Sequence, residues 1–153
     1  MIKQIDLSDP AQLHELHQMQ KASYQVEADL IGFYRIPPLV ETVEELKSCG
    51  ETFYGYWENE RLAGAVSIIH EDDVCTICRL AVHPDFFQRG IGGSMVTYVV
   101  DHLPYDNWLV STGKENHPAR RLYEKHGFEH VGDEVITGKG ITISNYKKTI
   151  DPS

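Results

Sequence analysis

Gly90, Gly92 and Gly93 fall within four positions in the stretch HPDFFQRGIGGSMV, residues 83–96, and apolar residues then recur at helical spacing. Glycines at the mouth of a helix have a chemical use. The first N–H groups of a helix have no partner inside it, and the helix dipole adds partial positive charge there. Without a Cβ in the way, the backbone can close around a bulky anion. Such a turn suits a phosphate or pyrophosphate, and Arg89 could add a charge-assisted contact. The same glycines also suit a plain tight turn before a helix.

Two nucleotide patterns fit poorly. A phosphate-binding loop of the Walker type ends in Gly-Lys-Ser/Thr, whereas this one reads Gly-Gly-Ser without a lysine. The dinucleotide fingerprint needs G-x-G-x-x-G, and GIGGSM brings its third glycine two positions early. Cys75 and Cys78 form a C-x-x-C with His70 and His83 nearby, but residues three apart in a strand point to opposite faces. No metal site is expected from them, and nothing in the sequence lowers a thiol pKa for covalent chemistry.

The elements that must carry these residues follow from periodicity and punctuation. IKQIDL alternates as a short strand, and DPAQLHELHQMQKASY reads as a helix with Asp9 as N-cap and Pro10 in its first turn. Its stripe is Leu13, Leu16 and Gln20. The chain turns at Pro37 and Pro38, and LVETVEELKSCG restarts as a short helix closed by Gly50. ETFYGYW, RLAGAVSII and VCTICRLAV read as three strands joined by ENE and EDD. GIGGSMVTYVVDHL is a helix whose buried stripe is Ile91, Met95, Val99 and Leu103. NWLVST is a strand, HPARRLYEKHGF a short helix, and HVGDEVIT and GITISNYKK are closing strands. The order β-α-α-β-β-β-α-β-α-β-β, with one strand–helix–strand crossover between antiparallel hairpins, implies an α/β fold. It would be a mixed, mostly antiparallel sheet with helices on both faces.

Size and charge narrow the function. The 153 residues suit one domain with one core, taken here as residues 1–153. A net charge of −9 argues against a nucleic-acid partner and is compatible with a cationic one such as an amine. No stretch approaches the ~20 apolar residues of a membrane span, no signal-type apolar segment opens the chain, and three cysteines do not make a disulfide framework. These features lead us to expect a cytoplasmic protein with reduced thiols.

The segment LAVHPDFFQRGIGGSMV resembles the acyl-CoA-binding loop of the GNAT superfamily of N-acetyltransferases, whose hallmark is Q/R-x-x-G-x-G/A after a strand ending in a V-x-P-like run. Phe87 stands where the motif has Gln or Arg. A second stretch, Asn116 followed by ARRLYEKHGF from Ala119 to Phe128, resembles the family's later asparagine and helix. The resemblance spans about residues 2–148. It implies about seven strands with a splayed central parallel pair, acetyl-CoA as cosubstrate, and transfer of the acetyl group to a primary amine of a small molecule or peptide. It further implies that the amides of Gln88, Arg89, Gly90, Ile91, Gly92 and Gly93 hold the pyrophosphate, and that backbone groups of Leu80, Ala81 and Val82 receive the pantetheine arm. Asn116 would contact the cofactor or cap its helix, and Tyr123 would face the cofactor sulfur as general acid.

Many relatives place a glutamate before the glycine turn, but here TICRL offers Cys78 and Arg79 and no carboxylate. Either a carboxylate elsewhere acts through water or the amine arrives already neutral; Glu27 is one candidate base or ammonium ligand, with Tyr24, Phe33 and Tyr34 as walls of the acceptor pocket, and an ordinary solvated helix carboxylate is the alternative for Glu27. His70, His83 and His126 read as surface or structural residues. A homodimer stays open, as do a non-catalytic acyl-CoA-binding module and an enzyme acting on protein N-termini.

Overall fold

The computed structural model describes residues 1–32, 40–136, 138 and 140–150. Phe33, Tyr34, Pro37 and Pro38, expected as pocket walls and turn, lie outside the described residues.

One seven-stranded sheet organises the chain, in the order β1-β2-β3-β4-β5-β7-β6. Its strands are β1 (Ile2–Gln4), β2 (Thr52–Glu58), β3 (Arg61–Glu71), β4 (Val74–Val82), β5 (Asn107–Gly113), β6 (Glu129–Ile136) and β7 (Ile141–Thr149). Every neighbouring pair is antiparallel except β4–β5, the parallel pair made by the crossover. This is the mixed sheet expected from the sequence.

The helices are α1 (Pro10–Ile31), α2 (Val43–Lys47), α3 (Ile91–His102) and α4 (His117–Lys125), with a 3-10 turn at Pro84–Phe86. They cover both faces. On one side α1 and α2 bury Leu13, Leu16, Met19, Tyr24 and Leu46 against Phe53, Ala65 and Ala81. On the other, Ile91, Met95, Val96 and Val99 of α3 and Tyr123 of α4 pack on Val66, Ile68, Cys75, Ile77, Trp108, Val110 and Tyr146.

Two helices differ in length from the sequence reading. α1 continues past Tyr24 to Ile31, because Ala28 still packs inward and the first stop is Gly32, left-handed at φ 70°. α2 has only five residues of the expected 39–50. Thr42 caps it: the Thr42 hydroxyl accepts from the Glu45 N–H at 3.1 Å, and the Glu45 carboxylate accepts from the Thr42 N–H at 2.9 Å.

One irregularity positions the site. Between β3 and β4 the register runs Ile68↔Ile77 and then Ser67↔Arg79, so Cys78 is an extra residue, a β-bulge. Up to Ile77 the odd residues of β4 face α3 and α4. Beyond Cys78 the alternation has flipped: Ala81 joins the core under α1 and α2, and Arg79 lies over the Phe53 ring at 5.4 Å.

Candidate active site

The parallel pair opens where the bulge stands. β4 and β5 are in register only from Val74↔Asn107 to Ile77↔Val110. β4 continues to Val82 and β5 to Gly113 without pairing to each other, so the two strands splay toward their C-terminal ends. A splayed pair leaves main-chain donors and acceptors that an amide-bearing ligand can satisfy.

The His83 N–H donates to the Ala63 carbonyl, which places alternate amides of β4 toward β3 and the amides of Val82 and Leu80 toward the gap. The Val82 amide already donates to the Ser23 hydroxyl of α1 at 3.2 Å. Of the three residues expected to meet a cofactor arm, Val82 thus offers an amide that α1 has claimed, Ala81 turns its main-chain groups to β3, and Leu80 faces the gap.

The glycine turn stands at the wide end of this gap. Gly90 is the N-cap of α3 with φ 74°, and Gln88 also adopts a left-handed φ of 64°. The first hydrogen bond of the helix runs from the Ser94 N–H to the Gly90 carbonyl at 2.9 Å, so the amides of Ile91, Gly92 and Gly93 lie upstream of the helical ladder. A groove of about 480 Å3 runs beside them, bounded by Gln88, Gly90–Gly93, Leu80, Val82, Asn116 and Leu122.

The glycines divide their work. Gly90 supplies the left-handed turn. A Cβ on Gly92 would meet Leu122 Cδ1 at 3.0 Å, and one on Gly93 would meet the His126 ring at 2.9 Å. These two let α3 approach α4 closely, a packing role not read from the sequence. Arg89, expected to reach an anion, pairs with Glu58 at 2.9 Å and lies over the Phe86 ring. Phe87 is 42% exposed at the rim.

Deeper in, a narrower cavity of about 110 Å3 is lined by Tyr24, Glu27, Ile77–Leu80, Val110–Thr112, Asn116, Ala119 and Tyr123. Tyr123 is buried between Phe128 and Tyr146, at ring distances of 5.8 and 6.2 Å. Burial, and then the nearby Glu27 charge, pushes its phenol well above the ordinary tyrosine range, so it stays protonated. Tyr24 is raised for the same two reasons.

Glu27 borders both spaces. It is not a solvated helix carboxylate: it is half-buried, and its Oε1 accepts from Asn116 Nδ2 at 3.2 Å. Burial raises its pKa, and the Asn116 bond offsets part of the rise. Asn116 also caps α4, its Oδ1 accepting from the Ala119 N–H at 3.2 Å. One asparagine therefore ties the helix cap to Glu27, and the two readings of it from sequence are compatible.

Three histidines named from the sequence have structural contacts. His83 caps the 3-10 turn, His126 Nδ1 bonds the Leu122 carbonyl, and His70 stacks on Tyr105. Cys75 is fully buried in the α3/α4 core and Cys78 is exposed, so the C-x-x-C thiols part to opposite faces.

The comparison with known proteins then decides the class. The model of the acetyltransferase (GNAT) family matches residues 12–128, which contain the bulge, the open parallel pair, the glycine turn and Tyr123. The chain belongs to the GNAT family of acetyltransferases. Among solved GNAT-fold structures, the ribosomal-protein-S18-alanine N-acetyltransferase of Escherichia coli superposes with a TM-score of 0.79 at 15% identity, over 100% of this chain and 95% of that one. An aminoglycoside 6'-acetyltransferase of type Ii gives 0.76 at 21% identity, over 100% and 99%. YncA of Salmonella typhimurium, a structure containing acetyl-CoA, gives 0.75 at 14% identity, over 100% and 95%. These likenesses establish the GNAT fold. A curated relative, the UPF0157 protein YqkA of Bacillus subtilis, is 34% identical over 145 residues, 94% of this chain. The chain spans 42% of that relative's length.

Proposed function

We propose that this GNAT chain transfers the acetyl group of acetyl-CoA directly to a primary amine of a small molecule or peptide. One observation carries the reading: the open end of β4–β5, the unpaired amides of α3 and the buried Tyr123 phenol bound two neighbouring spaces that share Glu27, Leu80, Asn116 and Ala119 as walls. The acetyl-CoA held by the YncA structure gives the fold a precedent for that ligand.

In this reading the amides of Gln88–Gly93 hold the pyrophosphate, with Gln88 and Gly90 bending the chain around it. Leu80 presents main-chain groups to the pantetheine arm, and Asn116 borders its path. At the narrow end, Glu27 takes a proton from the acceptor ammonium, whose pKa of about 10 otherwise keeps it unreactive. The freed nitrogen attacks the thioester carbonyl carbon, and amides at the bulge stabilise the charge on its oxygen. The C–S bond then breaks, Tyr123 gives its proton to the leaving sulfur, and its phenolate takes the remaining extra proton of the acylated nitrogen, leaving a neutral amide and free CoA thiol. Raised pKa values suit both assignments: Glu27 becomes a stronger base than an ordinary carboxylate, and Tyr123 keeps its proton until a thiolate forms.

Incubating the protein with acetyl-CoA and a panel of amines, and following free CoA, tests the proposal. Amine-dependent CoA release is expected. Binding of acetyl-CoA with no amine-dependent release would instead mark a non-catalytic binding module.

A further inference from the structure

Asn116 is fixed by its own loop and helix before it reaches the site. Its N–H donates to the Gly113 carbonyl at 3.0 Å, its carbonyl accepts from the Arg120 N–H at 3.1 Å, and its Oδ1 accepts from the Ala119 N–H at 3.2 Å. The residue is 8% exposed, so these bonds are held out of water. The cap also decides which way the side-chain amide faces. An oxygen must meet the Ala119 N–H, so the nitrogen end points away from the helix. There Nδ2 donates to Glu27 Oε1 at 3.2 Å, across 89 residues of chain. The bond joins α4, which packs on one face of the sheet, to α1, which packs on the other. Its two residues are walls of both the groove and the narrow cavity.

We propose that Asn116 is the positioning residue for Glu27: its fixed amide holds one carboxylate oxygen and so aims the other at the acceptor nitrogen. This inference rests on the reading of Glu27 as the base. The bond has an electrostatic side too. An N–H donated to a carboxylate favours the ionised form, against the burial that raises Glu27. The other titratable side chains that line the narrow cavity are Tyr24, Cys78, Arg79 and Tyr123. Burial keeps both phenols neutral and pushes the Cys78 thiol up to about 11. Arg79 is paired with Glu41 at 2.7 Å and Glu51 at 2.9 Å. Asparagine suits the double duty. Serine or aspartate caps a helix as well, but serine lacks the second arm, and aspartate would set a like charge against Glu27.

Asn116→Ser and Asn116→Asp test it, because both keep the cap and remove the donor. The acid limb of the kcat–pH profile should move up by ~1 pH unit in Asn116→Ser, where the bond is lost. It should move further in Asn116→Asp, where like charge adds to the loss. kcat on the plateau should fall ~10-fold or more in both, since the carboxylate is no longer aimed. A limb that stays in place in both variants overturns the proposal; a loss of acetyl-CoA affinity alone would then assign Asn116 to the cofactor. Carbon and nitrogen resonances give a readout that needs no turnover. In the wild-type protein, the Glu27 carboxyl and the Asn116 side-chain amide should titrate with one midpoint, and the Glu27 midpoint should rise in both variants. An Asn116 amide that does not follow the Glu27 titration overturns the proposal, even if neither variant folds. If the wild type acetylates no amine, the acetyl-transfer reading falls. A shared midpoint would then still show Asn116 holding Glu27, and separate midpoints would overturn that as well.

Discussion

Tyr123 and Glu27 share one environment, and burial pushes both toward their neutral forms. If Tyr123 supplies the proton to sulfur, Tyr123→Phe should lower kcat by ~10²-fold and leave acetyl-CoA affinity within ~2-fold, measured by steady-state kinetics and calorimetry. An unchanged kcat would reject the assignment. Glu27 gives a sharper test because its sign is fixed. Its folded-state pKa is raised, so the fold favours the protonated carboxyl. That stability is present below the unfolded pKa and is lost as pH rises through the folded one. Glu27→Gln should accordingly match wild type in Tm near pH 4 and exceed it near pH 8, while kcat falls by ~10²-fold. The acid limb of the wild-type kcat profile should sit above the ordinary carboxylate range and vanish in the variant. Tyr123, Asn116 and Glu27 could all be named from the sequence, because motif neighbours pointed to the first two and the acceptor-side segment to the third. The partners of Arg79 could not: Glu41 and Glu51 lie 38 and 28 residues away in the chain, and no local spacing links them.

The bulge at Cys78 and the meeting of α3 with α4 set the site at the level of elements. A regular strand would have put Cys75, Ile77, Arg79 and Ala81 on one face, burying an arginine in an apolar core. That conflict was the sequence's trace of the bulge. Strand order, the crossover and the glycine-turn helix were legible because each is written in local periodicity and turn chemistry. The packing role of Gly92 and Gly93 was not, since it depends on Leu122 and His126, which a later helix brings into contact. Gly92→Ala should destabilise the fold by about 1–3 kcal/mol through overpacking, seen as a lower Tm, and weaken acetyl-CoA binding together with it. A loss of affinity at full stability would place Gly92 purely in ligand contact. Ser23→Ala offers a milder probe. It frees the Val82 amide toward the gap, so acetyl-CoA affinity should hold or rise by calorimetry, and a ~10-fold loss would show that the Ser23 bond keeps the gap open.

The whole molecule carries a net charge of −9, and in the proposed reaction the cosubstrate is anionic and the acceptor cationic. Long-range charge thus favours the amine, and local main-chain donors must hold the phosphates. No helix among the described residues is long and apolar enough to cross a membrane. Family membership accounts for the fold and the cofactor groove.

The central claim is that the unpaired amides at the mouth of α3, together with the open strand pair, bind acetyl-CoA. Titrating acetyl-CoA into the protein while following backbone amide resonances tests it most directly. Saturable shifts concentrated at residues 88–93 and at Leu80 are expected. Saturation that leaves those amides unmoved, or no binding by a well-folded protein, would contradict the account.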